Sequence, residues 1–144
     1  MKKKEKVLVV CTQNSARSQM AEAFLRKYGD DFLEVYSAGL EPTQINPYAI
    51  QVMAEIDMDI RDQQAKSVRD FLGKTIFSII IGVCKNVEGK CPNIFPGARE
   101  IVSWPFDDPA AYEGMEADKL EMFRRVRNEI QEKVIDWVDE RRKG

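Results

Sequence analysis

The chain has no histidine in 144 residues, and that absence removes more chemistry than any other feature of its composition. Ser-His-Asp and Cys-His catalysis are excluded, as is any His-ligated zinc or haem, so proton transfer must run through carboxylates, thiols, lysines or water. Cysteine is scarce as well, with three residues at Cys11, Cys84 and Cys91. In the cytoplasm, the expected location, thiols stay reduced, so these three are reactive, metal-binding or buried rather than a structural framework. Structural zinc sites are four-coordinate, and three thiols without histidine cannot complete an all-cysteine site in one chain, so no metal and no cofactor is expected. Nor is there an excess of charge. The 22 basic and 24 acidic residues leave a net charge of -2, too little to hold nucleic acid or an anionic membrane. Long apolar runs are also lacking: MKKKEK is basic, but the VLVV after it is too short for a signal-peptide core, and nothing approaches a membrane span. What is present suits one ordinary core. With 44% hydrophobic residues and no room for a second folded unit, residues 1–144 are expected to form a single domain, and a monomer.

Hydrophobic spacing divides the chain into alternating strands and helices. KVLVV (6–10) is a short β-branched run of the kind buried on both faces of a sheet. From Ala16 onward, Met20, Ala23, Phe24 and Tyr28 recur at helical intervals, with Gly29 as a stop. FLEVYSAG (32–39) is the second strand, and Asn46-Pro47 is a helix-start pair leading into YAIQVMAEI. Ser67 and Asp70 form a weak capping box for a short helix. IFSIII (76–81) is the strongest strand and REIVSW (99–104) the fourth. From Glu116 to Arg141 an amphipathic helix turns Leu120, Phe123, Val126, Ile130, Val134 and Trp137 toward the core. The alternation predicts an α/β fold, a single three-layer domain with a four-stranded parallel sheet flanked by helices. Trp104 and Phe106 are expected to pack, and both chain ends to be solvated. Ligands of such sheets bind at the carboxyl ends of strands, where Cys11, Cys84 and the loop 104–115 all fall.

The first of these loops carries the chemistry. If Thr12, Gln13, Asn14 and Ser15 curl around a centre, their N–H groups converge, and a helix starting at Ala16 and Arg17 adds its positive end. That is an oxyanion cradle. The Arg17 guanidinium can give two parallel N–H bonds to a tetrahedral anion. Free cysteine, at a reference pKa of about 8.5, is only a few per cent ionised at neutral pH, and these positive surroundings favour a Cys11 thiolate. Ser18 can donate a further hydrogen bond to the sulfur, and the Asn14 amide can tie the loop together. A bare C-x5-R pair is weak evidence, but here a strand precedes it and Ser18 and a helix follow. In FDDPAAY, a loop carboxylic acid near the anion is the natural proton donor in a chain without histidine, and either Asp107 or Asp108 can serve.

CTQNSARSQMAEAF, WPFDDPA and the pair Cys84 and Cys91 together resemble the thioredoxin-coupled arsenate reductases, which share the fold and phosphate loop of the low-molecular-weight protein tyrosine phosphatases. The resemblance spans essentially the whole chain. It implies that Asp108, the Asp of the Asp-Pro pair, is the acid. It also implies a relay in which Cys11 forms an adduct with arsenate, Cys84 attacks Cys11 to release arsenite, Cys91 resolves the resulting disulfide, and thioredoxin reduces the Cys84–Cys91 bond. Gln13 stands where many relatives have glycine, a conformation Gln adopts less easily, and Ala16 where some have cysteine. In some of these reductases a potassium ion sits beside the loop, and Asn14, Glu22 and Ser37 match positions around it. Lys66 stands where the acidic ligand would be, so its ammonium is expected to replace the cation and pin the loop. Two other readings share the same residues: a phosphatase using Cys11 and Asp108 alone, and a non-enzymatic oxyanion-binding or thiol-oxidation sensor.

Overall fold

The β-branched run after the basic N-terminus forms strand β1, Glu5–Cys11, and it lies inside the sheet because Val7, Leu8, Val9 and Val10 are apolar on both faces. The structure is a computed structural model describing residues 4–83 and 97–143. Helix α1 spans Arg17–Gly29, strand β2 Leu33–Gly39, helix α2 Pro47–Ala54, strand β3 Ile79–Gly82, strand β4 Glu100–Ser103 and helix α3 Glu116–Lys143. All strand pairs are parallel, in the order β2-β1-β3-β4. The chain leaves β1 toward β2 on one side and returns to β3 on the other. The carboxyl end of β1 is therefore the point where the strand order reverses, the usual place for a ligand in such sheets.

Side chains alternate across the sheet, so register sorts its faces. Leu8 pairs with Tyr36 and with Ile80, and on that face Tyr36, Phe71 and Phe77 meet edge to face. Helix α1 packs against β1, β2 and α3, and α3 in turn packs against α2. Phe123, Val126, Ile130 and Val134 of α3 are fully buried, each such side chain worth about 1.5–3 kcal/mol of transfer free energy. Trp104 is buried and meets Trp137 edge to face, as expected of a packing residue.

Differences from the sequence expectation lie at element ends. The third strand is shorter than IFSIII: it begins at Ile79, the partner of Val7, while Ile76 is 74% exposed before pairing starts. Gly29 is not a left-handed stop, since it is the last helical residue without positive φ; it is small because a Cβ would meet Leu33 and Val138. Asn46 caps α2 by accepting from the Tyr48 N–H at 2.8 Å, and the Ser67–Asp70 capping box is present on a single 3-10 turn, Val68–Asp70. The C-terminal arginines are tied down rather than merely solvated, Arg141 to Glu5 and Glu100 and Arg142 to Asp31.

Helices α2 and α3 are clamped by charge. Arg127, buried on α3, donates to the Val52 carbonyl at 2.8 Å and to Glu55 at 2.9 Å, and Arg124 binds the same carboxylate. Hydrogen bonds from Arg124, then from Arg127, hold the Glu55 carboxyl below its ordinary 4.5. A carboxyl lowered on folding stabilises above its unfolded pKa and ceases to as pH falls through the folded value. Glu55→Gln should therefore melt lower than the parent at pH 7, with the gap closing below about pH 4; a gap independent of pH in thermal melts would remove the electrostatic account.

Candidate active site

The cradle is built by turning every carbonyl of the first loop outward. Cys11 O accepts from Leu40 N at 3.1 Å, Thr12 O from Glu41 N at 2.7 Å, Gln13 O from Thr43 N at 3.0 Å and Ser15 O from Asn46 N at 3.0 Å. Asn14 O accepts from the Gln19 side chain at 2.9 Å, and Ala16 O from Met20 N at 2.9 Å. In a trans peptide the carbonyl and the next N–H point in opposite directions. The N–H groups of residues 12 to 17 are thereby turned to the other side, toward a cavity of about 130 Å³ lined by Cys11, Thr12, Gln13, Ser15, Ala16, Arg17, Asp108 and Ala110. Helix α1 begins there with no side-chain cap and no acidic residue in its first turn, so its positive end is left for an anion.

Asn14 makes this curl possible. It is fully buried and stands at φ 51, a left-handed position that asparagine tolerates better than most residues. Its Nδ2 donates to Ser18 Oγ at 2.8 Å and to Ser37 Oγ at 2.9 Å, and its Oδ1 accepts from the Lys66 backbone N–H at 2.8 Å. The side chain thus holds the loop from behind and does not line the cavity. Gln13, where glycine was the family expectation, is not at positive φ, so the loop makes no glycine-like demand there.

One expectation is corrected here. The Lys66 ammonium does not pin the loop: it donates to the Gln64 carbonyl, and the backbone N–H of Lys66 does the holding. Ser18 meets the loop as an acceptor from Asn14, which leaves its single O–H to donate. The residues that match potassium positions of some relatives are tied into the loop network, Asn14 Oδ1 by Lys66 N, Ser37 Oγ between Asn14 and Glu22, and Glu22 by Arg26 at 2.7 Å. Among the described residues no buried side-chain N or O atom lacks a hydrogen-bond partner.

The acid loop approaches from the carboxyl end of β4. Arg17 NH1 donates to the Phe106 carbonyl at 3.0 Å, and NH2 lies 3.6 Å from Asp108 Oδ2. Asp108 also caps the turn Pro109–Ala111, accepting from Ala110 N at 3.0 Å. Asp107 faces away, paired with Arg125 of α3 at 2.8 Å. Of the two aspartates only Asp108 lines the cavity. Cys84 and Cys91 lie outside the described residues. Val83, the last described residue before them, donates its N–H at 3.1 Å to the carbonyl of Val10, the residue that precedes Cys11.

A family model described as low molecular weight phosphotyrosine protein phosphatase matches residues 6–143. The chain belongs to that family. It is 40% identical over 137 residues to a protein of Halalkalibacterium halodurans named arsenate reductase, covering 94% of this chain and 96% of the relative. Two solved structures, described as an arsenate reductase in oxidized state and an arsenate reductase in the phosphate binding state, superpose with TM-scores of 0.79 and 0.76. Each is 30% identical, over 94% of this chain and 98% of the other.

Within this family member, Gly39, Gln19 and Arg26 were not singled out from the sequence. A Cβ on Gly39 would stand 2.8 Å from Asn14 N and from Thr12 O, so the second strand can approach the cradle only without a side chain. Gln19 offers no motif, but Glu22 and Arg26 are an i,i+4 pair, a signal that was legible. Gly39→Ala should lose about 1–3 kcal/mol of stability through overpacking, and phosphate affinity with it; unchanged phosphate titrations would show that the loop tolerates the contact. Adding potassium should leave turnover unchanged, and a clear rise would mean that the loop network opens to admit the ion.

Proposed function

We propose that the protein is a cytoplasmic arsenate reductase that converts arsenate to arsenite for detoxification, using Cys11, Cys84 and Cys91 with thioredoxin as reductant. The observation that carries this reading is a buried thiol, Cys11, lining a small oxyanion-sized cavity at the end of a strand whose neighbour β3 is followed in sequence by a second thiol, Cys84. Support also comes from the arsenate reductases among the relatives and from the two further cysteines, which phosphoryl transfer does not need.

In the first step the Cys11 thiolate attacks arsenic while N–H groups of the loop and Arg17 hold the oxygens. Asp108 protonates the departing oxygen, which leaves as water. Arsenic is still pentavalent in this adduct. The Cys84 thiolate then attacks Cys11 sulfur; the sulfur–arsenic bond breaks, its electron pair stays on arsenic, and arsenite departs as the Cys11–Cys84 disulfide forms. Cys91 attacks Cys84, freeing Cys11 as thiolate, and the thioredoxin dithiol reduces the Cys84–Cys91 disulfide. Two electrons pass from thioredoxin to arsenic.

A second reading, phosphatase activity from Cys11 and Asp108 alone, is favoured by the placement of Asp108 at the cavity mouth. One assay separates the two: arsenate-dependent NADPH oxidation with thioredoxin and thioredoxin reductase, with an aryl phosphate run alongside. Sustained turnover should stop in Cys91→Ser after the first disulfide, and Asp108→Asn should slow adduct formation by roughly 10²–10⁴-fold. No arsenate turnover together with brisk, Asp108-dependent phosphate release would make the protein a phosphatase.

A further inference from the structure

The side chain that holds the cradle's shape from behind is itself held by a charge. Asn14 donates to Ser37, Ser37 donates to Glu22, and Glu22 is 1% exposed. A carboxylate at that depth is costly unless it is paired. The partner is Arg26, one turn along α1, whose NH1 lies 2.7 Å from Glu22 Oε2 while NH2 donates to the Val35 carbonyl at 2.9 Å. Lys66, the other cation near this network, spends its ammonium on Gln64 O.

We infer that Arg26 is a positioning residue for the oxyanion cradle: its guanidinium pairs with the buried Glu22 carboxylate and holds it in place, and through Ser37 and Asn14 fixes the loop that receives the substrate. Arg26 touches neither the cavity nor the reacting atoms. Its side chain is about half exposed, 49%, so it brings a fixed positive charge from the surface to a buried acid. Without it, Glu22 keeps its bond from Ser37 but has an uncompensated charge. The chain then relieves the charge by admitting water or by moving the carboxylate outward. Water at the carboxylate competes with the Ser37 hydroxyl, and a displaced carboxylate abandons it. In either case the acceptor that orients Asn14 is perturbed, and with it the residue at positive φ on which the curl depends.

The inference rests on the cradle being an oxyanion site, and its test uses inorganic phosphate binding, which needs neither thioredoxin nor turnover. Phosphate affinity is measured by calorimetry for the parent, Arg26→Met, Arg26→Lys, Glu22→Gln and the double variant Arg26→Met with Glu22→Gln, with melting temperatures alongside. Arg26→Met should weaken phosphate binding by roughly tenfold, a coupling of the size found within one hydrogen-bonded charge network. Arg26→Lys should recover most of it, because it keeps the charge while losing the fork that reaches Val35. The double variant should bind phosphate better than Arg26→Met, since the buried charge that needs a partner has gone. Phosphate affinity in Arg26→Met equal to the parent's would overturn the inference, as would equal losses in Arg26→Met and the double variant, which would assign the effect to the Val35 bond. Failure of the parent to bind phosphate would instead remove the oxyanion site itself.

Discussion

The active end of the sheet depends on one constraint: all six carbonyls of residues 11 to 16 have partners outside the loop. A loop of N–H groups aimed at one point is unstable in isolation, because its dipoles repel and its carbonyls still need donors. Here the segment 40–46 supplies backbone donors to four of the carbonyls, and α1 supplies the other two. The anion site is in this sense a by-product of satisfying the back of the loop. It is rigid for the same reason, since moving any one peptide would orphan a carbonyl.

That arrangement explains why residues remote from the cavity are under tight steric and electrical control. Gly39 lets β2 approach the loop to within backbone contact. Asn14 occupies a left-handed position whose side-chain partners come from α1, β2 and the segment around Lys66. Glu22 and Arg26 extend the same network to the surface. Arg17 performs the corresponding task on the open side, where it is 12% exposed and joins the acid loop to the cradle through Phe106 and Asp108. The two loops thus reach the cavity already connected, and of the neighbouring aspartates it is Asp108 that Arg17 faces.

Much of this was legible in the sequence for identifiable reasons. Strand and helix existence followed from periodicity: a β-branched run such as KVLVV has few alternatives, and the six apolar positions from Leu120 to Trp137 fit one helical face. The loop chemistry followed from Cys11, Arg17 and a helix start in one stretch. Element ends were less legible, because pairing rather than propensity set the start of the third strand at Ile79, and packing against Leu33 rather than backbone conformation required Gly29.

The sequence by itself determined the chemical vocabulary of the site: a thiol, a guanidinium and two neighbouring aspartates, with no imidazole, at the ends of strands that alternate with helices. Those are local facts, carried by residue type and spacing. Only the tertiary structure decided which atoms of each residue act. It made the backbone of Lys66, not its ammonium, the partner of Asn14, and it turned Asp107 toward Arg125 and Asp108 toward Arg17. The physical reason is that hydrogen bonds and ion pairs are set by distance and direction across elements far apart in the chain, which residue type and spacing do not encode.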